Sequence, residues 1–255
     1  MLRDPAAADL STPGRLEALA ARWSATRGPS VALSDARGDW TWRDLEHGRK
    51  QLAELLLTLG VRAGDRVMVV GENCAPLIAL FAAVASVHAW FVPMDARRSP
   101  RSLDAIRAHA SPRRVLFLAD DSGHARDHAQ RVKAMRISLG RWGTLSVSAL
   151  DERCVPEPYE GNAARDVAAL AYRHDDCDPR AVMLTHANLA FVARVMAEVR
   201  GIGPDDRLEV SIPVSRCEGL ALCLAGLGAG AKLALASRPD TRGDARDTKA
   251  SYGLA

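Results

Sequence analysis

Apolar residues along the chain follow two spacings that alternate. A spacing of three to four residues predicts helices, and short apolar runs bounded by turn residues predict strands. The predicted helices cover 15–25, 43–59, 77–87, 102–109, 186–199 and 219–228. The predicted strands cover 31–33, 40–42, 67–70, 89–92, 115–118, 145–147, 167–172, 181–184, 208–212 and 232–236. Strands that alternate with helices predict an α/β fold, with mostly parallel sheets flanked by helices.

Cap and turn residues set the expected boundaries of these elements. Asn73 is predicted to cap the helix that follows it, with Pro76 in the first turn. Gly60 is well placed to end the helix 43–59, and Thr185 or His186 to open the helix 186–199.

Polar segments suggest how the chain is divided. Residues 1–14 are expected to be a flexible lead-in, and 15–237 a domain with a subdivision near 150–165. Residues 238–255 are polar and aperiodic, which predicts a disordered tail. The polar stretch 120–136 is compatible with a helix, and 154–162, with two prolines and a glycine, is predicted to be a linker.

Composition narrows the class of protein. The chain has 255 residues, 48% of them hydrophobic, and a net charge of +3 that is too small to favour nucleic acid as a partner. Its five scattered cysteines contain no Cys-x-x-Cys pair, which favours free thiols in a reducing cytoplasm. The charged N-terminus does not resemble a signal peptide. The apolar stretches 76–93 and 219–236 are interrupted by His88 and Lys232 and are expected to pack in a core rather than span a membrane.

The segment 166–189 predicts a strand, a polar loop, a second strand and the start of a helix. A loop set between buried strands is a common phosphate-binding site. This loop, from Arg173 to Arg180, has no glycine, serine or threonine and carries three aspartates. Ionised carboxylates only accept hydrogen bonds, and each one near 4 Å from a phosphate charge costs on the order of 4 kcal/mol at an effective dielectric of 20. Unless metal ions intervene, the loop is not expected to hold a phosphate.

The same loop also raises the question of a metal site. His174, Asp175, Asp176, Cys177 and Asp178 are all residue types that bind metals. Consecutive residues rarely converge on one ion, so a solvated acidic loop is favoured. The acidic neighbours would also raise the pKa of the cysteine, which argues against a nucleophile.

Two further groupings each have two interpretations. His124 and His128 have the i, i+4 spacing of a helical zinc pair, but no third ligand is evident and a polar surface helix is favoured. A basic run could attract a phosphorylated ligand such as coenzyme A, although a solvated face is favoured. That run consists of Arg97, Arg98, Arg101, Arg107, Arg113 and Arg114.

Several short segments resemble the motifs of one enzyme family in order and spacing. They read Thr-Trp-Arg-Asp-Leu at 41–45, Leu-Gly-Val-Arg-Ala-Gly-Asp-Arg-Val at 59–67, Glu-Asn at 72–73, Val-Pro-Met-Asp at 92–95, Ala-Val-Met-Leu-Thr-His-Ala-Asn-Leu at 181–189, Gly-Pro-Asp-Asp-Arg at 203–207 and Pro-Val-Ser-Arg-Cys-Glu-Gly at 213–219. The set resembles the adenylate-forming (AMP-binding) enzymes, which include acyl-CoA synthetases, fatty acyl-AMP ligases and the adenylation domains of peptide synthetases. The resemblance covers roughly residues 12–237 and implies part of that family's N-terminal domain.

The resemblance also implies a reaction and a set of site residues. Members of the family activate a carboxylic acid with Mg-ATP to an acyl adenylate and commonly pass it to a thiol such as coenzyme A. Tyr172, Arg180 and Thr185 lie where the family's phosphate loop and the helix after it contact the nucleotide. Ser215, Arg216 and Gly219 lie in the segment that lines the family's acyl pocket.

The chain departs from the family pattern in three places. Between Tyr172 and Pro179, the glycines and hydroxyls of the phosphate loop are replaced by Arg-His-Asp-Asp-Cys-Asp. Ser215 and Arg216 stand where the family usually has an aromatic residue and a histidine. The adenine and ribose motifs and the catalytic lysine of the C-terminal domain would lie beyond residue 255, although 251–255 resembles the start of the adenine motif, by chance or as the scar of a deletion.

The sequence predicts an acyl-CoA synthetase-like protein that by ancestry activates a carboxylic acid with ATP but is inactive as this chain. Three functional hypotheses remain. The chain is an acyl-CoA synthetase-like ligase completed by another chain, a non-catalytic binding or interaction module on the same scaffold, or a remnant without activity. No catalytic residue and no metal site is assigned, and ATP and Mg are implied by the resemblance alone. The expected partners are an acyl or CoA-type small molecule or a complementing chain.

Overall fold

The structure is a computed structural model that describes residues 18–173 and 179–236. Its helices are α1 (Ala18–Arg27), α2 (Trp42–Thr58), α3 (Ala75–Ser86), α4 (Pro100–Ala110), α5 (Gly123–Arg131), α6 (His186–Arg200) and α7 (Cys217–Ala229). Its strands are β1 (Val31–Asp35), β2 (Gly38–Thr41), β3 (Arg66–Gly71), β4 (Trp90–Asp95), β5 (Arg114–Phe117), β6 (Met135–Ser138), β7 (Thr144–Val147), β8 (Val167–Tyr172), β9 (Ala181–Thr185), β10 (Arg207–Val210) and β11 (Lys232–Leu235). The predicted lead-in 1–14 and tail 238–255 lie outside the described residues.

The described strands form two sheets with parallel centres. One has the order β6-β7-β5-β3-β4-β8-β9, and the other has the order β10-β11-β1-β2. In the larger sheet β5, β3, β4 and β8 run parallel, while β7, β6 and β9 pair antiparallel at the edges. The predicted α/β class is therefore confirmed. The antiparallel edges, including the whole of β6, were not predicted.

Helix α3 lies between the two sheets and is apolar on every side. Ten of its twelve residues are buried, because it packs against α2 and against strands of both sheets. A helix without a polar face is stable only inside a core. Along β3, Val67 and Val69 share the core that contains α3, whereas Met68 and Val70 face the opposite core with α4 and α5. The alternation places helices on both faces of the larger sheet.

Asn73 does not cap α3, contrary to the prediction. The N-cap is Cys74, which makes no side-chain cap bond, and Asp35 of β1 accepts the N–H of Ala75 at 2.8 Å instead. The Asn73 amide donates to the carbonyls of Val210 (3.0 Å) and Ile212 (2.9 Å), and its oxygen accepts the N–H of Val214 (2.9 Å). This side chain thus ties the end of β3 to the segment after β10. The predicted placement of Pro76 in the first turn is confirmed.

The segment 211–216, which connects β10 to α7, is also held by a close contact with Gly219. A Cβ atom on Gly219 would lie 2.2 Å from the carbonyl oxygen of Pro213 and 2.7 Å from that of Ile212. Both atoms belong to the backbone, so the contact cannot be relieved by a side-chain rotation. The absence of a side chain at Gly219 therefore fixes the approach of this segment to the first turn of α7.

The predicted linker 154–162 contains no helix or strand but is fastened along the start of β3. Arg66 donates to the carbonyl of Val155 at 2.8 Å, and the N–H of Glu157 donates to the carbonyl of Gly64 at 2.9 Å. The ring of Tyr159 stacks on His88 with 4.4 Å between centroids. The strand that follows, β8, joins the larger sheet beside β4.

The cysteines and the apolar helices were both considered in the sequence. Cys74, Cys154, Cys217 and Cys223 are free thiols, as predicted, and Cys177 lies outside the described residues. Within the described ranges, no helix combines the length and the apolar character needed to cross a membrane.

Replacing Asn73 by alanine should destabilise the fold. The substitution leaves two carbonyls and one N–H, at least partly buried, without their partner, at an expected cost of roughly 2–4 kcal/mol in the free energy of unfolding. Urea denaturation measures this change. Asn162→Ala is the matched control, because Asn162 is exposed and its side chain accepts a single N–H, from Ala164. Equal losses in the two variants would contradict the role assigned to Asn73.

The same substitution at two glycines of α7 should have opposite effects. Gly219→Ala introduces a backbone clash, which should destabilise the protein by about 1–3 kcal/mol. Gly228→Ala places its Cβ where nothing lies within 4 Å, and the lower entropy of the unfolded chain should stabilise the helix by about 0.5–1 kcal/mol. Thermal melting of both variants tests the sign as well as the size. A Gly219→Ala protein as stable as the unmodified chain would show that segment 211–216 is not held by this contact.

Candidate functional site

The described residues form an open cleft between the larger sheet and the start of α7. One wall consists of the ends of β4 and β8 with the turn after β4, and the other consists of segment 211–216 with the first turn of α7. The volume is about 470 Å³, which lies within the range of small-molecule sites. The lining residues are Asp95, Arg97, Arg98, Ala171, Tyr172, Arg173, Val182, Pro213, Ser215, Arg216, Cys217 and Glu218. The cleft brings together two segments that are about 40 residues apart in the chain: the end of β8 at Tyr172 and Arg173, where the predicted phosphate loop begins, and the predicted acyl-pocket segment.

The turn after β4 carries a set of paired charges. The carboxylate of Asp95 accepts the N–H of Arg97 at 2.9 Å, and the guanidinium of Arg97 donates to Glu72 at 3.0 Å. Glu72 also accepts the hydroxyl hydrogen of Ser122 at 2.8 Å. The charge of Arg97 is therefore balanced by carboxylates that belong to the protein.

Arg98 is buried and does not belong to a solvated basic face. Only 8% of the residue is exposed, and its guanidinium donates to the carbonyl of Arg173 at 2.7 Å and to the hydroxyl of Ser102 at 3.2 Å. It thus connects the turn after β4 to the end of β8. The interpretation of the arginine run as a solvated face is wrong for this residue.

Two further arginines of the run are also structural. Arg113 donates to the carbonyls of Gly60 and Asp151, both at 3.3 Å. Arg114 donates to the carbonyls of Leu59 (2.8 Å) and Ser148 (2.7 Å). These guanidinium groups satisfy the carbonyls of chain segments that turn away from regular structure, which is a common use of a side chain with five donors.

His128 supports the cleft wall from behind, since it is the buried histidine of α5, a helix whose other polar residues are mostly exposed as predicted. It is 6% exposed, and its Nε2 lies 3.0 Å from the carbonyl oxygen of Ala96 and 3.1 Å from that of Arg98. Carbonyl oxygens only accept, so Nε2 carries a proton and donates to both. Nδ1 of His124 instead lies 3.8 Å from Oε1 of Glu72. No group of three or more metal-binding side chains occurs among the described residues.

The opposite wall presents Ser215 and Arg216, as the resemblance implied. Arg216 is the N-cap of α7 and makes no side-chain cap bond, and its Nε lies 3.8 Å from a carboxylate oxygen of Glu218. Gly219 does not belong to the lining; it lies under segment 211–216. Partial burial and the neighbouring Glu218 raise the pKa of the Cys217 thiol, so this residue is a poor nucleophile at neutral pH.

Tyr172 borders the cleft at the end of β8, but its hydroxyl is already engaged. The hydroxyl oxygen lies 2.8 Å from Nδ1 of His109, and the two rings meet edge to face. Burial raises the pKa of Tyr172 to about 12, so the phenol stays neutral at physiological pH. Its structural role is to join the end of β8 to α4.

The resemblance also implied that Thr185 and Arg180 contact a nucleotide. Neither residue is among the described residues that line the cleft. The hydroxyl of Thr185 accepts the N–H of Asn188 at 3.1 Å, and the side chain of Asn188 accepts the N–H of Thr185, which makes a capping box for α6. The carbonyl of Arg180 accepts the N–H of Arg173 at 3.2 Å and closes the pairing of β8 with β9. His174, Asp175, Asp176, Cys177 and Asp178 lie outside the described residues.

Among the described residues, the cleft lining carries more positive than negative charge. Four arginines and two carboxylates line the cleft, and one of these arginines is balanced by Glu72 from outside the lining. The sequence analysis considered Arg97 and Arg98 as part of a basic run that could attract a ligand but favoured a solvated face. A signal for their place in the cleft was present, because both lie within three residues after the Val-Pro-Met-Asp motif at the carboxyl end of a predicted parallel strand, where ligands of α/β proteins commonly bind.

Comparison with known proteins places this chain in a family. The acyl-CoA ligase sidI of Aspergillus fumigatus is 27% identical over 209 residues, which cover 72% of this chain and 35% of the ligase. A feruloyl-CoA synthase of an Amycolatopsis species is 29% identical over 203 residues, which cover 78% of this chain and 39% of the synthase. The chain therefore spans well under half the length of either relative. The structure of VinN in complex with 3-methylaspartate superimposes with a TM-score of 0.69 at 24% identity, over 87% of this chain and 61% of VinN.

The family description "AMP-binding enzyme" matches residues 20–250, which is most of the chain. This match confirms the resemblance noted in the sequence. The chain belongs to the AMP-binding family of adenylate-forming, acyl-CoA synthetase-like enzymes.

Proposed function

We propose that the chain binds a small organic carboxylate in the cleft but does not itself convert it with ATP to an acyl adenylate. The observation that carries the proposal is the arginine-lined cleft whose wall ends at Arg173, where the acidic sequence His-Asp-Asp-Cys-Asp begins. The cleft has guanidinium groups that can bind an anion. Residues 174–178, which follow Arg173 in the sequence, lack the glycines and hydroxyls that bind a phosphate chain.

The affinity for a carboxylate rests on guanidinium groups at the two walls. Arg173 is exposed on one wall and Arg216 on the other. Guanidinium binds carboxylate through charge-assisted, often bidentate hydrogen bonds, which are stronger than neutral ones. The cleft is also wide enough for an acid of a few carbon atoms.

The residues present do not fit ATP with its magnesium ion. Residues 174–178 replace the expected glycines and hydroxyls with three aspartates, a histidine and a cysteine. The hydroxyl of Thr185 already accepts a hydrogen bond as the cap of α6. Three carboxylates close to a triphosphate would oppose binding by several kcal/mol, on the order of 4 kcal/mol each at 4 Å. We therefore assign no nucleotide to the described chain.

A remnant without a ligand is the alternative that one observation favours. At the edge of the larger sheet β9 exposes Val182 and Met183 by 51% and 61%, and α6 exposes Phe191 by 59%. Exposed apolar residues on an edge strand are typical of a surface that another chain segment covers. A chain of this kind would self-associate and melt without cooperativity, whereas the proposed binding protein should melt cooperatively and gain stability from its ligand.

One test of the proposed function concerns ATP. Neither acid-dependent exchange of pyrophosphate into ATP nor tight binding of Mg-ATP is expected for the unmodified chain, because residues 174–178 offer acceptors where phosphate needs donors. Replacing 174–178 by a glycine, serine and threonine sequence should bring measurable Mg-ATP binding in calorimetry, although not necessarily exchange. A matched variant with Asp175, Asp176 and Asp178 changed to asparagine separates the loss of charge from the gain of backbone freedom. Tight Mg-ATP binding by the unmodified chain would contradict the proposal.

The second prediction concerns the carboxylate. Short aliphatic acids such as butyrate should protect the chain against thermal unfolding in a saturable manner, and Arg173→Gln should weaken the binding by roughly three- to tenfold. Arg165→Gln serves as the control, since Arg165 is an exposed arginine outside the cleft that pairs with Glu160. If the control weakens binding as much as Arg173→Gln, the effect is one of net charge and the cleft is not the site.

A further inference from the structure

The arginines of the cleft differ in how fully their charge is compensated by the protein. Arg97 donates to Glu72 at 3.0 Å and lies 4.0 Å from Asp95, and these side chains are mostly buried. A charge pair with little solvent around it is hard to replace by an incoming ligand. The charge of Arg97 is therefore balanced within the turn after β4 and its neighbour Glu72.

Arg98 is bonded within one wall of the cleft. Its bonds to the carbonyl of Arg173 and to the hydroxyl of Ser102 hold two parts of one wall together. Because this guanidinium is buried and bonded within the wall, it is not counted among the groups that bind a ligand directly.

Arg216 is held far less firmly. Its side chain is 58% exposed and that of Glu218 is 65% exposed, and the closest approach between their charged atoms is 3.8 Å. Exposed pairs of this kind contribute between roughly 0 and 1 kcal/mol, so an anionic ligand that offers better geometry can displace Glu218. As the N-cap of α7 without a cap bond, Arg216 also lies at the positive end of the helix dipole.

The cleft therefore has two separate places where an anion is favoured. One is on the wall of Arg173 with Arg98 behind it, and the other is on the facing wall at Arg216. Segment 211–216 fixes the second place, because Asn73 bonds that segment to the end of β3 and Gly219 allows its close approach to the first turn of α7. A ligand with one carboxylate can satisfy one of the two places, whereas a ligand with two can satisfy both.

We propose that Arg216 is a specificity-determining residue that selects acids carrying a second anionic group, such as short dicarboxylates. The inference rests on the proposed binding of a carboxylate in the cleft and names the class of ligand. Glu218 opposes the same ligand: it competes for Arg216 and repels the second carboxylate. The two side chains thus have opposite effects on the affinity for dicarboxylates.

The test compares succinate with butyrate, which have the same number of carbon atoms and differ by one carboxylate. Isothermal titration calorimetry on the full chain gives the ratio of the two affinities. We expect the unmodified chain to prefer succinate by roughly tenfold, the difference that one charge-assisted hydrogen-bonded pair provides. Arg216→Gln should bring this ratio close to one, and Glu218→Gln should raise it by a few-fold.

Control variants separate this effect from net charge and from folding. Arg165→Gln removes one exposed arginine with a carboxylate partner outside the cleft and should keep the ratio of the unmodified chain. Thermal melting of each variant without ligand shows whether it is folded. The Arg216→Gln/Glu218→Gln double variant has the net charge of the unmodified chain, and it should still lose the preference for succinate.

The possible results distinguish the proposed carboxylate binding from the proposed role of Arg216. A ratio near one in the unmodified chain, or a ratio that Arg216→Gln leaves unchanged, would overturn the role of Arg216 while butyrate binding still supports a carboxylate site. If the folded chain binds neither acid, both proposals fall. A preference for succinate that Arg216→Gln removes and Arg165→Gln leaves intact supports both.

Discussion

One side-chain amide connects the two sheets beside the cleft. Asn73 follows β3 of the larger sheet and satisfies the carbonyl of Val210 at the end of β10 in the smaller sheet, together with one carbonyl and one N–H of the segment after it. An asparagine can do this because a single planar group carries two donors and an acceptor. With this segment fixed, its last residues and the first turn of α7 must face the ends of β4 and β8. The space between the two walls is the candidate site.

Positive charge in this protein serves structure more often than binding. The guanidinium groups of Arg66, Arg98 and Arg114 donate to backbone carbonyls. Without these donors, carbonyls at the ends of helices and strands and in the loops between them would lose a partner. A count of basic residues therefore says little about the ligand. What distinguishes Arg216 is its weak and exposed pairing, which only the geometry reveals.

The sequence predicted most of the helices and the parallel strands because their apolar spacing depends on local pattern alone. It failed where a polar side chain makes a distant contact. Asn73 before Pro76 fits the local rule for a cap, but its partners are about 140 residues away. His128 looks like one of a surface pair, yet it bonds to carbonyls of the turn after β4. Strand β6 was missed because it is short and mostly exposed at a sheet edge, so that its alternation of apolar and polar residues covers only four positions. The two cleft walls were each suggested by family motifs, but their meeting depends on tertiary contacts.

The described elements on either side of the phosphate loop do not depend on the sequence of that loop, because they are held by contacts of their own. Tyr172 pairs with Ala181 in the antiparallel ladder, and the N–H of Arg173 bonds to the carbonyl of Arg180, which completes the ladder before residues 174–179 begin. After the ladder, Thr185 and Asn188 cap α6 with their own side chains. None of these contacts needs a glycine or hydroxyl in the loop. Substitutions at 174–178 can therefore remove the chemistry of phosphate binding while the strands, the helix and the adjoining cleft wall keep their positions. For this reason we assign carboxylate binding and nucleotide chemistry separately in this chain.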